Sequence, residues 1–136
     1  MDQEVKEFTE AIGAVEPEPS DENYSFFRSI FKKQNYFLFE KGYMMVHLSR
    51  SKTPFWGFGK KFSNLLNGLE DWYLVLLVNN HEGWVFDKHE INSFIENGRW
   101  KLREVDDNYK INPPLPDKNS FLSPRQFLEI VGIGKK

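Results

Sequence analysis

The spacing of apolar residues along the chain predicts five helices. Three of them are indicated by apolar positions that recur three and four residues apart, over residues 1–12, 21–33 and 60–67. Two more are indicated by an N-cap residue before an apolar helical repeat. The N-cap is Asp87 in one helix and Ser123 in the other.

Apolar runs bounded by turn residues predict strands. The predicted strands are residues 36–39, 43–48, 72–78 and 84–86, followed by a hairpin of residues 100–105 and 109–111. The run 72–78 is apolar without alternation, which is typical of a central strand that is covered on both faces. We therefore expect a single-domain α/β or α+β fold, in which a mixed β-sheet has strands 43–48 and 72–78 at its centre and helices 21–33 and 60–67 packed on it.

Aromatic composition and the positions of two prolines predict one globular domain with an N-terminal extension. The chain has 13 Phe, 5 Tyr and 4 Trp in 136 residues, and aromatic side chains of this number supply a substantial core. Pro17 and Pro19 interrupt helical structure after the first predicted helix. We therefore expect an acidic N-terminal arm with a proline-rich linker over residues 1–19, and a single globular domain over residues 20–136.

Cysteine content and hydropathy exclude several classes of protein. The absence of cysteine excludes disulfides, thiolate metal sites and cysteine nucleophiles. The acidic start of the chain does not resemble a signal peptide, and the longest apolar run is too short to span a bilayer. We expect a cytoplasmic protein with no membrane contact.

Acidic and basic residues are segregated along the chain. Residues 1–22 carry eight acids against one base, whereas residues 26–61 carry eight bases against one acid. A basic block favours an anionic partner, and we expect nucleic acid. The alternative is that the acidic N-terminus folds over the basic block and neutralises it, and the sequence leaves both open.

Residues 49–61 concentrate cations, glycines and aromatic rings between a predicted strand and a predicted helix. Gly57 and Gly59 precede the helix, so free backbone N–H groups beside lysines would suit a phosphate, although the spacing is not that of a nucleotide-binding loop. The rings either pack in the core or stack on the bases of a single strand. The candidate anion- or nucleic-acid-binding residues are Arg28, Lys32, Lys33, Arg50, Lys52, Trp56, Lys60 and Lys61.

The order of elements over residues 20–86 resembles part of the core of restriction-endonuclease-like, or PD-(D/E)XK, domains. In that family a central strand carries Glu-x-Lys and its carboxylates hold a divalent metal ion. The corresponding strand here ends with His47 and runs into Arg50, with neither the acid nor the lysine. The resemblance implies a fold of this class, and a nuclease-like enzyme using Glu40, His47 and Lys52 as one functional alternative.

Three functional hypotheses follow from these patterns. The favoured one is a non-enzymatic domain that binds nucleic acid through its basic face, without a cofactor or metal. The second is a protein–protein interaction module or accessory subunit, with the acidic arm or the proline-rich segment 113–116 as the contact for a protein partner. The third is the nuclease-like enzyme. The favoured hypothesis assigns no catalytic residue.

Overall fold

The computed structural model contains both strands and helices, with a helix near each end of the described chain. The structure describes residues 2–21, 24–25, 36–39, 42–60, 68 and 71–132. Its elements are α1 (Gln3–Ile12), β1 (Tyr36–Phe39), β2 (Gly42–Leu48), β3 (Trp56–Gly59), β4 (Trp72–Leu77), β5 (Gly83–Asp87), α2 (Lys88–Glu96), β6 (Lys101–Arg103), β7 (Asn108–Ile111), a 3₁₀ turn (Asp117–Asn119), β8 (Ser120–Phe121) and α3 (Pro124–Val131).

The large sheet has five strands in the order β1-β2-β4-β5-β8. Strands β2 and β4 run parallel, with Tyr43 opposite Trp72 at one end and Leu48 opposite Leu77 at the other. The other neighbours in this sheet are antiparallel. The α/β class with a mixed sheet is therefore confirmed, and β2 and β4 lie inside it as the apolar runs predicted.

Apolar side chains cover both faces of the large sheet. On one face Leu74 and Leu76 of β4 belong to a core that also contains Trp56 and Phe58 of β3. On the other face, Val75 shares a second core with side chains of α1 and α3. This two-sided burial is the reason that β4 lacks polar alternation.

The N-terminal helix α1 is part of the second core. Its Phe8 is completely buried, with its ring centroid 5.5 Å from that of Phe121 and 5.2 Å from that of Phe127. After the helix, the backbone of Val15 exchanges hydrogen bonds with that of Leu38 in β1. Residues 3–15, which the sequence suggested as an arm outside the globular domain, thus share its core and its sheet edge.

Strand β3 lies in the segment between predicted strand 43–48 and predicted helix 60–67, where the sequence predicted no strand. This strand pairs antiparallel with β7, which in turn pairs with β6, so that a small three-stranded sheet forms. Trp56 and Phe58 point into the first core, and Gly57 and Gly59 alternate with them on the outer face. Apolar residues and glycines alternate along β3, as is typical of a strand with one buried face. The sequence did not indicate a strand here, because glycines before a predicted helix are typical of a turn.

Local capping signals in the sequence agree with the structure. Asp87 Oδ1 accepts from the N–H of Glu90 at 2.8 Å and Glu90 Oε1 accepts from the N–H of Asp87 at 3.0 Å, which completes a capping box. The Ser123 Oγ accepts from the N–H of Gln126 at 3.2 Å. The predicted helices over 21–33 and 60–67 lie almost wholly outside the described residues.

Candidate anion-binding face

Loop 50–55 joins β2 to β3 and is held at both ends by one backbone carbonyl. Leu77 O accepts from the N–H of Ser49 at 2.9 Å and from the indole N–H of Trp56 at 3.2 Å. Inside the loop, the N–H of Phe55 donates to the Oγ of Ser49 at 3.2 Å. These bonds fix where the chain enters the small sheet and where Phe55 stands.

Trp56 does not present its ring to a ligand. Its side chain is 3% exposed, its N–H is satisfied by Leu77 O, and its ring packs edge-to-face on Trp84 at 5.6 Å. The prediction that Trp56 belongs to a nucleic-acid-binding surface is therefore corrected. The physical reason is the strand alternation of β3, which directs position 56 into the core.

Arg50 is occupied by the acidic start of α1. Its guanidinium forms a salt bridge with Asp2 and lies 3.2 Å from Glu4 Oε1. Asp2 also caps α1 by accepting from the N–H of Glu4 at 2.9 Å. At Arg50 the acidic N-terminus therefore contacts the basic block. This contact agrees with the alternative in which the acidic segment neutralises the basic one.

The remaining predicted cations divide into two groups. Lys52 and Lys60 are exposed, and the N–H of Lys60 donates to Asp107 O at 2.9 Å beside the β6–β7 turn. The predicted candidates that lie outside the described residues are Arg28, Lys32, Lys33 and Lys61.

The outer face of the small sheet carries a row in which Gly57 adjoins two lysines that the sequence did not single out. In this lysine row Gly57 lies opposite Lys110, and Lys110 lies opposite Lys101. Like charges that directly face each other across strands destabilise a sheet unless something neutralises them. Neither lysine has an ion-pair partner within the described part of the chain.

The next row on the same face consists of Gly59, Asn108 and Arg103. Arg103 is held in place by Asp106 in the adjoining turn, with Arg103 Nε 3.2 Å from Asp106 Oδ1 and a second contact from Nη2. This hydrogen bonding from Arg103 lowers the pKa of Asp106 to about 2. The turn also carries exposed Glu104 and Asp107, so the positive charge of this face is concentrated at the lysine row.

A groove of about 240 Å³ opens on this face. The residues around it include Phe55, Gly57, Arg103, Asn108 and Lys110. Phe55 is 55% exposed, which is unusual for so large an apolar ring, and it stands at the margin of the groove. The groove therefore combines an accessible aromatic ring with adjacent cations.

The backbone does not require a glycine at position 57. A β-carbon there would come no nearer than 4.0 Å to Asn108, and the residue does not have a positive φ. By contrast, a β-carbon at Gly83 would lie 2.1 Å from Leu76 O, so that only glycine fits. Glycine in a strand lowers its stability and often marks a place where another group approaches closely. At Gly57 the lining of the groove therefore has no side chain.

His47 lies on β2, opposite Leu76. Its Nε2 is buried without a hydrogen-bond partner, and this burial lowers the pKa of His47 to about 4, so that the imidazole is neutral at neutral pH. Glu40, which the nuclease alternative also needs, lies outside the described residues. Among the residues that are described, no three His, Asp or Glu side chains are grouped to hold a metal ion.

The two segments predicted as contacts for a protein partner are both anchored to the domain. The acidic N-terminal segment buries Val5, Phe8 and Ile12 of α1 in the second core, and the proline-rich segment 113–116 buries Leu115 in the first. Other positions of both segments stay exposed, among them Glu10 and Pro114.

The sequence missed Lys101, Arg103 and Lys110 for an identifiable reason. Residues 26–61 dominated the charge count, whereas the chain after residue 61 is nearly balanced. The available signal was alternation, since Lys101 and Arg103 flank Leu102 and point the same way in a strand.

No helix in the described ranges has the length and apolar character needed to cross a membrane. Comparison with models of protein families, with curated proteins and with solved structures finds no match to this chain.

Proposed function

We propose that this domain is a non-enzymatic binding module for an anionic partner, with nucleic acid as the favoured ligand, and that it binds through the outer face of the small sheet. The observation that carries the proposal is the lysine row. Lys101 and Lys110 face each other directly next to a glycine and have no carboxylate partner among the described residues. A phosphate between them would remove the repulsion that the fold alone leaves in place.

The rest of the proposed surface is built from neighbouring cations. Lys60 follows β3 directly, Arg103 lies in the adjacent row, and Lys52 belongs to the loop that leads into the sheet. Arg50 is excluded because Asp2 and Glu4 engage it. The proposed face is thus narrower than the predicted basic block and includes cations from β6 and β7.

The test is a salt titration of binding to a fluorescently labelled single-stranded oligonucleotide, followed by anisotropy. We expect the wild-type protein to bind at low salt and to lose affinity steeply as salt rises. Lys101→Glu with Lys110→Glu should weaken binding and lower the slope of log K against log salt by about 1.4, the contribution of two phosphate contacts on a single strand.

The matched control reverses two charges on the opposite side of the large sheet. Lys6 on α1 and Arg125 on α3 are exposed, and Lys6→Glu with Arg125→Glu changes the net charge by the same amount. The control should retain most of the affinity. Absence of binding at low salt, or equal losses in the two double variants, would refute the proposal.

A further inference from the structure

We propose that the groove beside the lysine row receives an unpaired base, which stacks on Phe55 above Gly57, so that the ligand is single-stranded nucleic acid. This inference rests on the proposed function, because it specifies which nucleic acid the basic face binds and by which contact.

The position of Phe55 supports stacking. The ring is 55% exposed, yet its backbone is fixed through Ser49, whose own N–H is bound to Leu77 of the central strand. Because the backbone at Phe55 is already ordered, stacking of a base restricts only the rotation of the side chain itself. Every base has a flat apolar face, so stacking of this kind needs no particular sequence.

The uncovered position at Gly57 supports insertion of a flat group. The fold leaves room for a side chain there, and a β-branched residue would suit an exposed strand position better than glycine does. A glycine in the lining of a groove lets a planar ligand approach the backbone. Asn108, whose amide offers both a donor and an acceptor, lies beside the same groove and can meet a base edge.

The concave shape distinguishes single strands from duplexes. Proteins read duplex DNA by inserting a protruding helix or β-ribbon into the major groove, which is about 12 Å wide. The groove on the outer face of the small sheet, lined by Phe55, Lys110 and Arg103 among others, is by contrast a hollow. A hollow accepts a group that projects from the ligand, and unpaired bases project from a single strand while paired bases do not.

The test compares a labelled 15-nucleotide oligothymidine with a blunt duplex of equal length at one ionic strength. We expect the single strand to bind more tightly. Phe55→Ala should weaken single-strand binding roughly 5- to 150-fold, the range that corresponds to loss of one stacked base. Gly57→Val should weaken it as well, because the new side chain occupies the groove.

Two controls keep these variants interpretable. Leu122 is an exposed apolar residue outside the small sheet, so Leu122→Ala should leave binding unchanged. Thermal unfolding checks that the Gly57→Val variant is folded. If that variant is unfolded, the affinity of Phe55→Ala alone tests base stacking.

The outcomes separate this inference from the proposed function. Equal affinity for single strand and duplex, unaffected by Phe55→Ala but abolished by Lys101→Glu with Lys110→Glu, would overturn base insertion and leave anion binding intact. The same conclusion would follow if inorganic polyphosphate displaced the labelled oligonucleotide as effectively, per phosphate, as unlabelled oligonucleotide does. Failure of both nucleic acids to bind at low salt would refute both proposals.

Discussion

At the scale of single residues, burial changes what two side chains can do. Trp56 and His47 both appeared in the sequence as candidate functional groups beside the basic loop. The structure places the Trp56 ring in the core and the His47 Nε2 in a site without a hydrogen-bond partner. A ring nitrogen that is buried without a partner makes protonation of the imidazole costly, and this cost is measurable.

His47 should make the stability of the protein depend on pH. Its folded-state pKa of about 4 lies below the ordinary value of 6.5, so the unfolded chain binds the proton more readily. Stability attributable to His47 should therefore be retained above pH 6.5 and fall as the pH decreases towards 4, by about 3 kcal/mol in total. Urea unfolding between pH 7 and pH 4.5 measures this loss.

The variant His47→Met removes the titrating group and should flatten this part of the pH profile. His89 lies exposed on α2, so His89→Gln serves as the control and should keep the wild-type profile. An unchanged profile in His47→Met would show that His47 is not the group responsible.

At the scale of elements, α1 illustrates how a helix with weak sequence signals becomes part of a core. Its apolar stripe is short, but Val5, Phe8 and Ile12 are all buried against the large sheet and α3. Most of the stability of such a helix comes from this packing, since an isolated helix of this length is marginal in water.

Phe8→Ala should lower the free energy of unfolding by about 3–5 kcal/mol, because it removes a completely buried ring that contacts Phe121 and Phe127. Glu10→Ala, an exposed change on the same helix, should have an effect within about 0.5 kcal/mol. Urea unfolding monitored by tryptophan fluorescence gives both values. If Phe8→Ala were as mild as Glu10→Ala, α1 would be an appendage and not a core helix.

At the scale of the whole molecule, the two charge blocks of the sequence are not two separate surfaces. The start of α1 reaches Arg50, so part of the acidic block neutralises part of the basic one. The lysine row instead brings together cations from strands β6 and β7, in a region of nearly balanced composition.

This distribution predicts unequal effects of two conservative charge removals. Arg50→Gln should leave oligonucleotide affinity within about twofold of wild type, because the carboxylates of Asp2 and Glu4 already neutralise its guanidinium. Lys110→Gln should weaken binding several-fold and reduce its salt dependence. Anisotropy at two salt concentrations compares them, and an equal loss in both variants would place Arg50 on the binding face.

Much of the fold was predictable because its signals are local. Capping at Asp87 and Ser123, helical spacing in α1 and the unbroken apolar run of β4 each depend on residues a few positions apart. The sequence by itself thus determined the α/β class, the central position of β2 and β4 and, within the described residues, most helix and strand positions.

Only the tertiary structure decided which side chains share a surface. The pairing of β3 with β7 joins residues some fifty positions apart, and that pairing sends Trp56 inward and sets Gly57 beside Lys110. The pairing of β6 with β7 then sets Lys101 opposite Lys110. Strand register is fixed by burial of one face, which no local pattern of glycines and lysines reveals, and for that reason the candidate site became visible only in the folded chain.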